Sequence, residues 1–187
     1  ALGGVIPQTV PVLEDGSIDI EVAIGKVKSD DMHFPRTKLL CLENTYNGKP
    51  LSPKYMQCAT AAARKVNLRS HLDGARLMNA AIANKCTPRE LASSFDTVSL
   101  CLSKGLGAPV GSVLVGNQDF INEARRVRKM LGGGMRQAGI LAACGIVAMK
   151  NQVDRLIQDH ALAARLASEL AQIPDIETEP QGANTNM

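Results

Sequence analysis

Thr97-Val98-Ser99-Leu100-Cys101-Leu102-Ser103-Lys104-Gly105-Leu106-Gly107-Ala108-Pro109 is an apolar run that ends in a lysine and a glycine-rich turn. A second run has the same design. Leu68-Arg69-Ser70-His71-Leu72 reads as a strand and ends at Asp73-Gly74-Ala75-Arg76. Helix-like segments separate such strands along the chain, which argues an α/β domain around a mostly parallel sheet with flanking helices. In open sheets of this kind, ligands bind outside the carboxyl ends of the strands.

Working outward, Lys38-Leu39-Leu40-Cys41-Leu42 reads as a buried strand, and Glu43-Asn44-Thr45 ends it with polar groups. Pro53 opens a helix that runs to about Val66, with Ser52 as its N-cap. Ala75 to about Ala83 reads as a short helix. Thr87, Pro88 and Glu90 form a capping box for another. Val110 to Val115 is strand-like and Gln118 to Met130 is helical. Met135 to Met149 reads as a buried helix, and Val153 to about Leu170 as an amphipathic one. The expected division is a partial large domain over residues 1–150 and the start of a smaller one over 151–187. The chain begins at Ala1 with a loop-like stretch and stops at Asn184-Thr185-Asn186-Met187, so both ends read as truncated.

Composition narrows the class. A chain of 187 residues is long enough for one real core, burying roughly 70% of its unfolded surface. The net charge of +3 and 3% aromatic content give no basis for nucleic-acid binding. The five cysteines are Cys41, Cys58, Cys86, Cys101 and Cys144, an odd number without a CxxC pair. That pattern argues against a disulfide framework or a zinc site, and for a reducing compartment. Cys41 and Cys101 sit in strand-like runs and read as packing residues. The apolar stretch from Ala138 to Met149 is too short to span a bilayer. No basic n-region marks a signal peptide.

Lys104 has two readings: a solvated lysine in a turn, or a nucleophilic amine for Schiff-base chemistry. The second requires desolvation or a nearby cation. Gly105 and Gly107 would let backbone approach a ligand closely. Asp73 also has two readings: an N-cap for the following helix, or a carboxylate holding a protonated pyridine nitrogen. Lys104 and Asp73 together suggest a pyridoxal phosphate site. Arg76 could pair with Asp73 or reach the cofactor's phenolic oxygen. Gly132-Gly133-Gly134-Met135-Arg136-Gln137 is a glycine loop feeding a helix, where backbone N–H groups and Arg136 can bind an anion, with Lys129 nearby. It lacks GxGxxG spacing and a P-loop lysine. His71 shares a strand face with Asp73 and either orients it or packs. His33 stands in a loop-like stretch. His160 lies on the last helix and has no assigned role.

Taken in order, Leu42-Glu43-Asn44-Thr45-Tyr46-Asn47-Gly48, His71-Leu72-Asp73-Gly74-Ala75-Arg76, Leu102-Ser103-Lys104-Gly105-Leu106-Gly107 and Gly132-Gly133-Gly134-Met135-Arg136-Gln137 resemble the low-specificity L-threonine aldolases. These are members of the fold-type-I pyridoxal phosphate enzymes. The resemblance implies the central part of a fold-type-I large domain and pyridoxal 5'-phosphate as cofactor. It implies that Lys104 is the covalent anchor, Asp73 the partner of the pyridine nitrogen and Arg76 the neighbour of the phenolic oxygen. It also implies that His33 lies near the substrate β-hydroxyl, and that Arg136, with Lys129, reaches cofactor phosphate across a subunit interface. Tyr46 departs from the resemblance, standing where the family often has histidine.

The implied reaction is cleavage of L-threonine or L-allo-threonine to glycine and acetaldehyde. The implied partners are a small amino acid substrate and further copies of the chain, as a homodimer or homotetramer. No metal, nucleic acid or membrane is expected. Cytoplasmic residence is expected, with organellar targeting left open by the N-terminus. Little or no activity is expected of the 187-residue chain alone. Two alternatives stand beside this reading: a non-catalytic remnant that binds a full-length subunit, and another fold-type-I enzyme such as an aminotransferase or serine hydroxymethyltransferase.

Overall fold

Capping and strand chemistry set the elements in a computed structural model that describes residues 3–178. Asp19 caps α1 (Ile20–Gly25), its carboxylate accepting the Glu21 and Val22 N–H groups. The first long strand, β1, is Leu39–Glu43. Thr45–Tyr46 (β2) and Lys49–Pro50 (β3) form a small hairpin. Ser52 caps α2 (Pro53–Lys65) by accepting the Tyr55 N–H. Then come β4 (Arg69–Asp73), α3 (Leu77–Ala83) and α4 (Pro88–Ala92), the last with its complete Thr87/Glu90 capping box. β5 is Thr97–Cys101 and β6 is Ser112–Val115. Three helices follow: α5 (Gln118–Met130), α6 (Gly139–Asn151) and α7 (Leu156–Leu170).

The four-stranded sheet has the order β1-β4-β5-β6. The first three strands are parallel, and β6 pairs with β5 in the antiparallel sense. Glu43 and Asp73, the last residues of β1 and β4, therefore align in one row with Ser99, midway along β5. One face of the sheet carries Leu40, Leu42, Leu72, Val98 and Leu100. It packs with Met56, Ala59 and Ala63 of α2, Leu77 and Ala80 of α3, and Leu91 of α4. Among the described residues no helix is long and apolar enough to cross a membrane.

Three expectations need correction. Cys41 is exposed, because burial alternates along β1 and only Leu40 and Leu42 face the core. The third helix starts at Leu77, not near Ala75, because Asp73 Oδ1 accepts the Ala75 N–H at 2.9 Å and holds that stretch in a turn. The segment expected as a buried helix starts at Gly139 and buries only Gly145 and Ala148, while Ile140, Ile146 and Val147 stand exposed. Gly145 lies against Leu102, where an added Cβ would come within 2.9 Å of Leu102 Cδ1. A helix that is apolar all round is ordinarily enclosed, so its exposed side is the fold's main departure from the sequence pattern.

Asp96 clamps β4 to the start of β5. Its Oδ2 accepts from the Ser70 N–H at 2.8 Å and the Ser70 hydroxyl at 3.0 Å, and Arg69 pairs with Oδ1 at 3.3 Å. Partial burial opposes the charge, but these donors prevail and hold the carboxyl below its ordinary value. A depressed carboxylate adds stability above the unfolded pKa of about 3.9 and loses it as pH falls further. We expect Asp96→Ala to cost about 1–3 kcal/mol, because it leaves the buried Ser70 N–H unpaired. Urea titrations should also show the variant's stability falling less steeply than the wild type's below about pH 4.

Candidate active site

Lys104 and Asp73 reach the same edge of the sheet by different local devices. β5 ends at Cys101, and the chain loops out and returns as β6. The loop is closed by Leu102 N–H to Gly111 O at 2.9 Å and Ala108 N–H to Leu102 O at 3.0 Å. Within it, Gly107 N–H donates to Lys104 O at 2.9 Å. Gly107 (φ +72°) and Gly111 (φ +122°) adopt backbone conformations that favour glycine. Lys104 itself is exposed between buried Leu102 and buried Gly105-Leu106. Asp73, also exposed, ends β4.

Gly74 allows these ends to meet. A Cβ there would lie 2.6 Å from Ser99 O of β5 and 3.3 Å from Leu77 Cβ. Only a glycine lets the turn after Asp73 sit on the neighbouring strand and aim the start of α3 at the Lys104 loop. The result is a narrow crevice lined by Ala75, Arg76, Asn79, Cys101, Lys104 and Leu106, among others. Arg76 is partly buried. Its Nε is buried with no hydrogen-bond partner, and no ion pair joins it to Asp73 among the described residues. A buried, unpaired cationic donor facing a lysine-lined crevice suits an anionic oxygen on a ligand.

The other expected residues fall outside the crevice. His33 is exposed in the loop before β1, its N–H donating to Asp31 Oδ1 at 2.8 Å. No hydrogen bond among the described residues joins His33 to Asp73 or Lys104, and it does not line the crevice. Lys129 ends α5 with its stem packed over Gly134, and Arg136 is exposed in the following turn. His71 does not orient Asp73: its Nδ1 meets Thr97 Oγ1 at 2.8 Å. Burial holds His71 below the ordinary histidine value, while the Asp73 carboxylate pulls the other way. Tyr46 packs beside Gly16. Among the described residues no group of three or more His, Cys, Asp or Glu side chains could hold a metal ion.

Two further polar residues stand at or near this edge of the sheet, Asn79 and Asn44. Asn79 lines the crevice one helical turn after Arg76, and the i, i+3 spacing was the available signal. Asn44 lay inside the polar run after β1. It is fully buried, and its Oδ1 and Nδ2 are both unpaired.

The architecture is that of the fold-type-I pyridoxal phosphate enzymes, and it brings Asp73, at the end of β4, and Lys104, in the loop after β5, to one side of the sheet. Solved structures agree on the fold. A candidate L-allo-threonine aldolase from Listeria monocytogenes EGD-E superposes with a TM-score of 0.81 at 20% identity, over 99% of this chain and 50% of that one. Leishmania major threonine aldolase gives 0.70 at 23% identity, over 84% and 48%.

The whole chain, residues 1–187, matches the beta-eliminating lyase family, to which it belongs. It is 52% identical over 169 residues to the low specificity L-threonine aldolase of Escherichia coli K12, covering 90% of this chain and 51% of that protein. It is 44% identical over 191 residues to low-specificity L-threonine aldolase 1 of Arabidopsis thaliana, covering 100% and 53%. The chain thus spans about half the length of these relatives.

The Gly74 contact can be tested directly. Gly74→Ala should destabilise the protein by about 1–3 kcal/mol in denaturant titrations, the ordinary cost of overpacking. Gly25→Ala, where an added Cβ meets nothing, should lack that steric cost.

Proposed function

We propose that this chain carries the cofactor anchor of a pyridoxal phosphate-dependent aldehyde-lyase that cleaves L-threonine and L-allo-threonine to glycine and acetaldehyde. The observation that carries the reading is the crevice at the sheet edge. There Lys104 and the unpaired Arg76 Nε share one small space beside the end of β4. Close kinship to curated threonine aldolases, over most of this chain, favours the aldolase over an aminotransferase.

When bound, the cofactor supplies an electron-poor ring that takes up the electron pair released as the substrate's Cα–Cβ bond breaks. The chain's residues divide the remaining work. Lys104 is the covalent anchor, through Nζ. Asp73 spends Oδ1 on the Ala75 N–H, which leaves Oδ2 to hold a protonated ring nitrogen. The Arg76 Nε–H, buried and unpaired, would donate to the cofactor's phenolic oxygen. His33 is the proposed base for the substrate β-hydroxyl proton, acting from the loop before β1. Arg136 and Lys129 are proposed to contact cofactor phosphate from a neighbouring subunit of a homodimer or homotetramer. The proposed setting is the cytoplasm. The common logic is positioning: a carboxylate at the end of β4 and a lysine in a hydrogen-bonded loop after β5 need little reorganisation to meet a ligand.

Incubation with pyridoxal 5'-phosphate, borohydride reduction and peptide mapping tests the anchor. Modification should concentrate on Lys104, and Lys104→Ala should lose it together with threonine-dependent acetaldehyde release by the full-length enzyme. A label spread over surface lysines with Lys104 untouched would sink the assignment.

A further inference from the structure

His160 takes no part in the proposed chemistry. The structure gives it a partner 81 residues away: its Nε2 lies 3.1 Å from the Asn79 side-chain Nδ2. Asn79 is 3% exposed and lines the Lys104 crevice, one turn after Arg76 on α3. His160 is partly buried on α7, one turn after Leu156, which is fully buried. The i, i+4 spacing places Leu156 and His160 on one face of α7, and α7 packs on α3.

We propose that His160 is a positioning residue: through Asn79 it fixes the face of α3 that presents Arg76 to the Lys104 crevice. The claim about Arg76 rests on the cofactor reading above, whereas the His160–Asn79 bond does not. The chemistry of the pair is specific. An amide nitrogen only donates, so Nε2 accepts and the neutral ring carries its proton on Nδ1. Protonation fills that lone pair and abolishes the bond.

The electrical surroundings of the ring are simple. The α3 residues Leu77–Ala83 include no titratable side chain. On its own helix the nearest charge is Asp159, which is paired with Arg155 at 2.8 Å and 3.1 Å. Burial pushes His160 below the ordinary histidine value, with Asp159 pulling the other way. The neutral, accepting form is therefore the one the fold favours. The stability it confers is complete above about pH 6.5 and is lost as pH falls from there through the folded value.

Two measurements test this. The first uses the protein without cofactor. Nitrogen-detected NMR of the imidazole should show the Nδ1–H tautomer for His160 above pH 7. An Nε2–H tautomer would overturn the proposal.

The second is equilibrium binding of pyridoxal 5'-phosphate, followed by its absorbance. His160→Leu should weaken binding about fivefold, the scale of one neutral hydrogen bond. His160→Gln, whose side-chain oxygen can accept from Asn79, should restore it. Wild-type binding should decline on acidification as His160 titrates, and His160→Gln should lack that limb. Leucine and wild-type proteins binding equally, glutamine failing with leucine, or an unchanged acid limb in the glutamine variant would each overturn the claim. Absence of saturable cofactor binding by the wild type would instead refute the cofactor reading and remove the Arg76 step. The tautomer measurement would then decide the His160–Asn79 bond alone.

Discussion

The parallel pairing of β4 with β5 sets the position of everything else near the site. Its register, His71 to Thr97, Leu72 to Val98 and Asp73 to Ser99, fixes where β4 stops relative to the strand that leads to Lys104. Asp96 locks one end of the pair through Ser70. At the other end, Gly74 lies against Ser99 O so closely that a side chain would not fit. A slip of one residue would move every β4 side chain to the opposite face. Leu72 would leave the core, and Asp73 would point into it. Burial and exposure are therefore one constraint at this position: the register that buries Leu72 is the register that leaves Asp73 exposed at the edge.

The same geometry separates structural charge from functional charge. Asp96 is consumed by its donors, and its depressed pKa reports a clamp, not a reactive group. Arg155 is likewise occupied by Asp159. Arg76 is the contrast, with a buried donor that no protein atom satisfies. Perturbed titration marks functional sites only in probability. In this fold the unpaired donor beside Lys104 points to ligand chemistry more directly than the displaced carboxylate at the other end of the strand.

Much of this was legible in sequence because it is local. Ser52 before Pro53, and Thr87 three residues before Glu90, carry their caps within one turn, and both helices start where those residues place them. Gln118–Met130 matches its expected limits because Asn117 caps it and the glycine loop ends it. Asp73 and Lys104 were visible as charges that end apolar strands. What failed is non-local. The apolar period of α6 indicates burial but not what does the burying, and in the described fold only Gly145 and Ala148 are fully buried. Cys41 sits in an apolar run, yet a strand has two faces, and this sheet covers one of them. Asn79 and His160 meet across 81 residues, and no spacing rule connects them.

Unpaired polar atoms also show where the fold is least self-sufficient. Asn44 is fully buried with both side-chain polar atoms unsatisfied, and its backbone N–H reaches Asp73 O at 3.3 Å. Leaving a buried polar group unpaired costs about 1–3 kcal/mol, a large fraction of a domain's net stability. Ser94 Oγ, also unpaired, belongs to the turn before β5. Asn44 and Arg76, by contrast, follow β1 and β4 at the carboxyl edge, the side on which Lys104 stands. Elsewhere several local rules are met: α1, α2, α4 and α5 carry side-chain caps, and the central strands alternate inside and outside. Violations of such rules concentrate where a protein gives up stability for function. The unsatisfied polar atoms of Asn44 and Arg76 and the Lys104 crevice thus lie at the same end of the sheet, where the fold leaves hydrogen-bonding capacity for something other than itself.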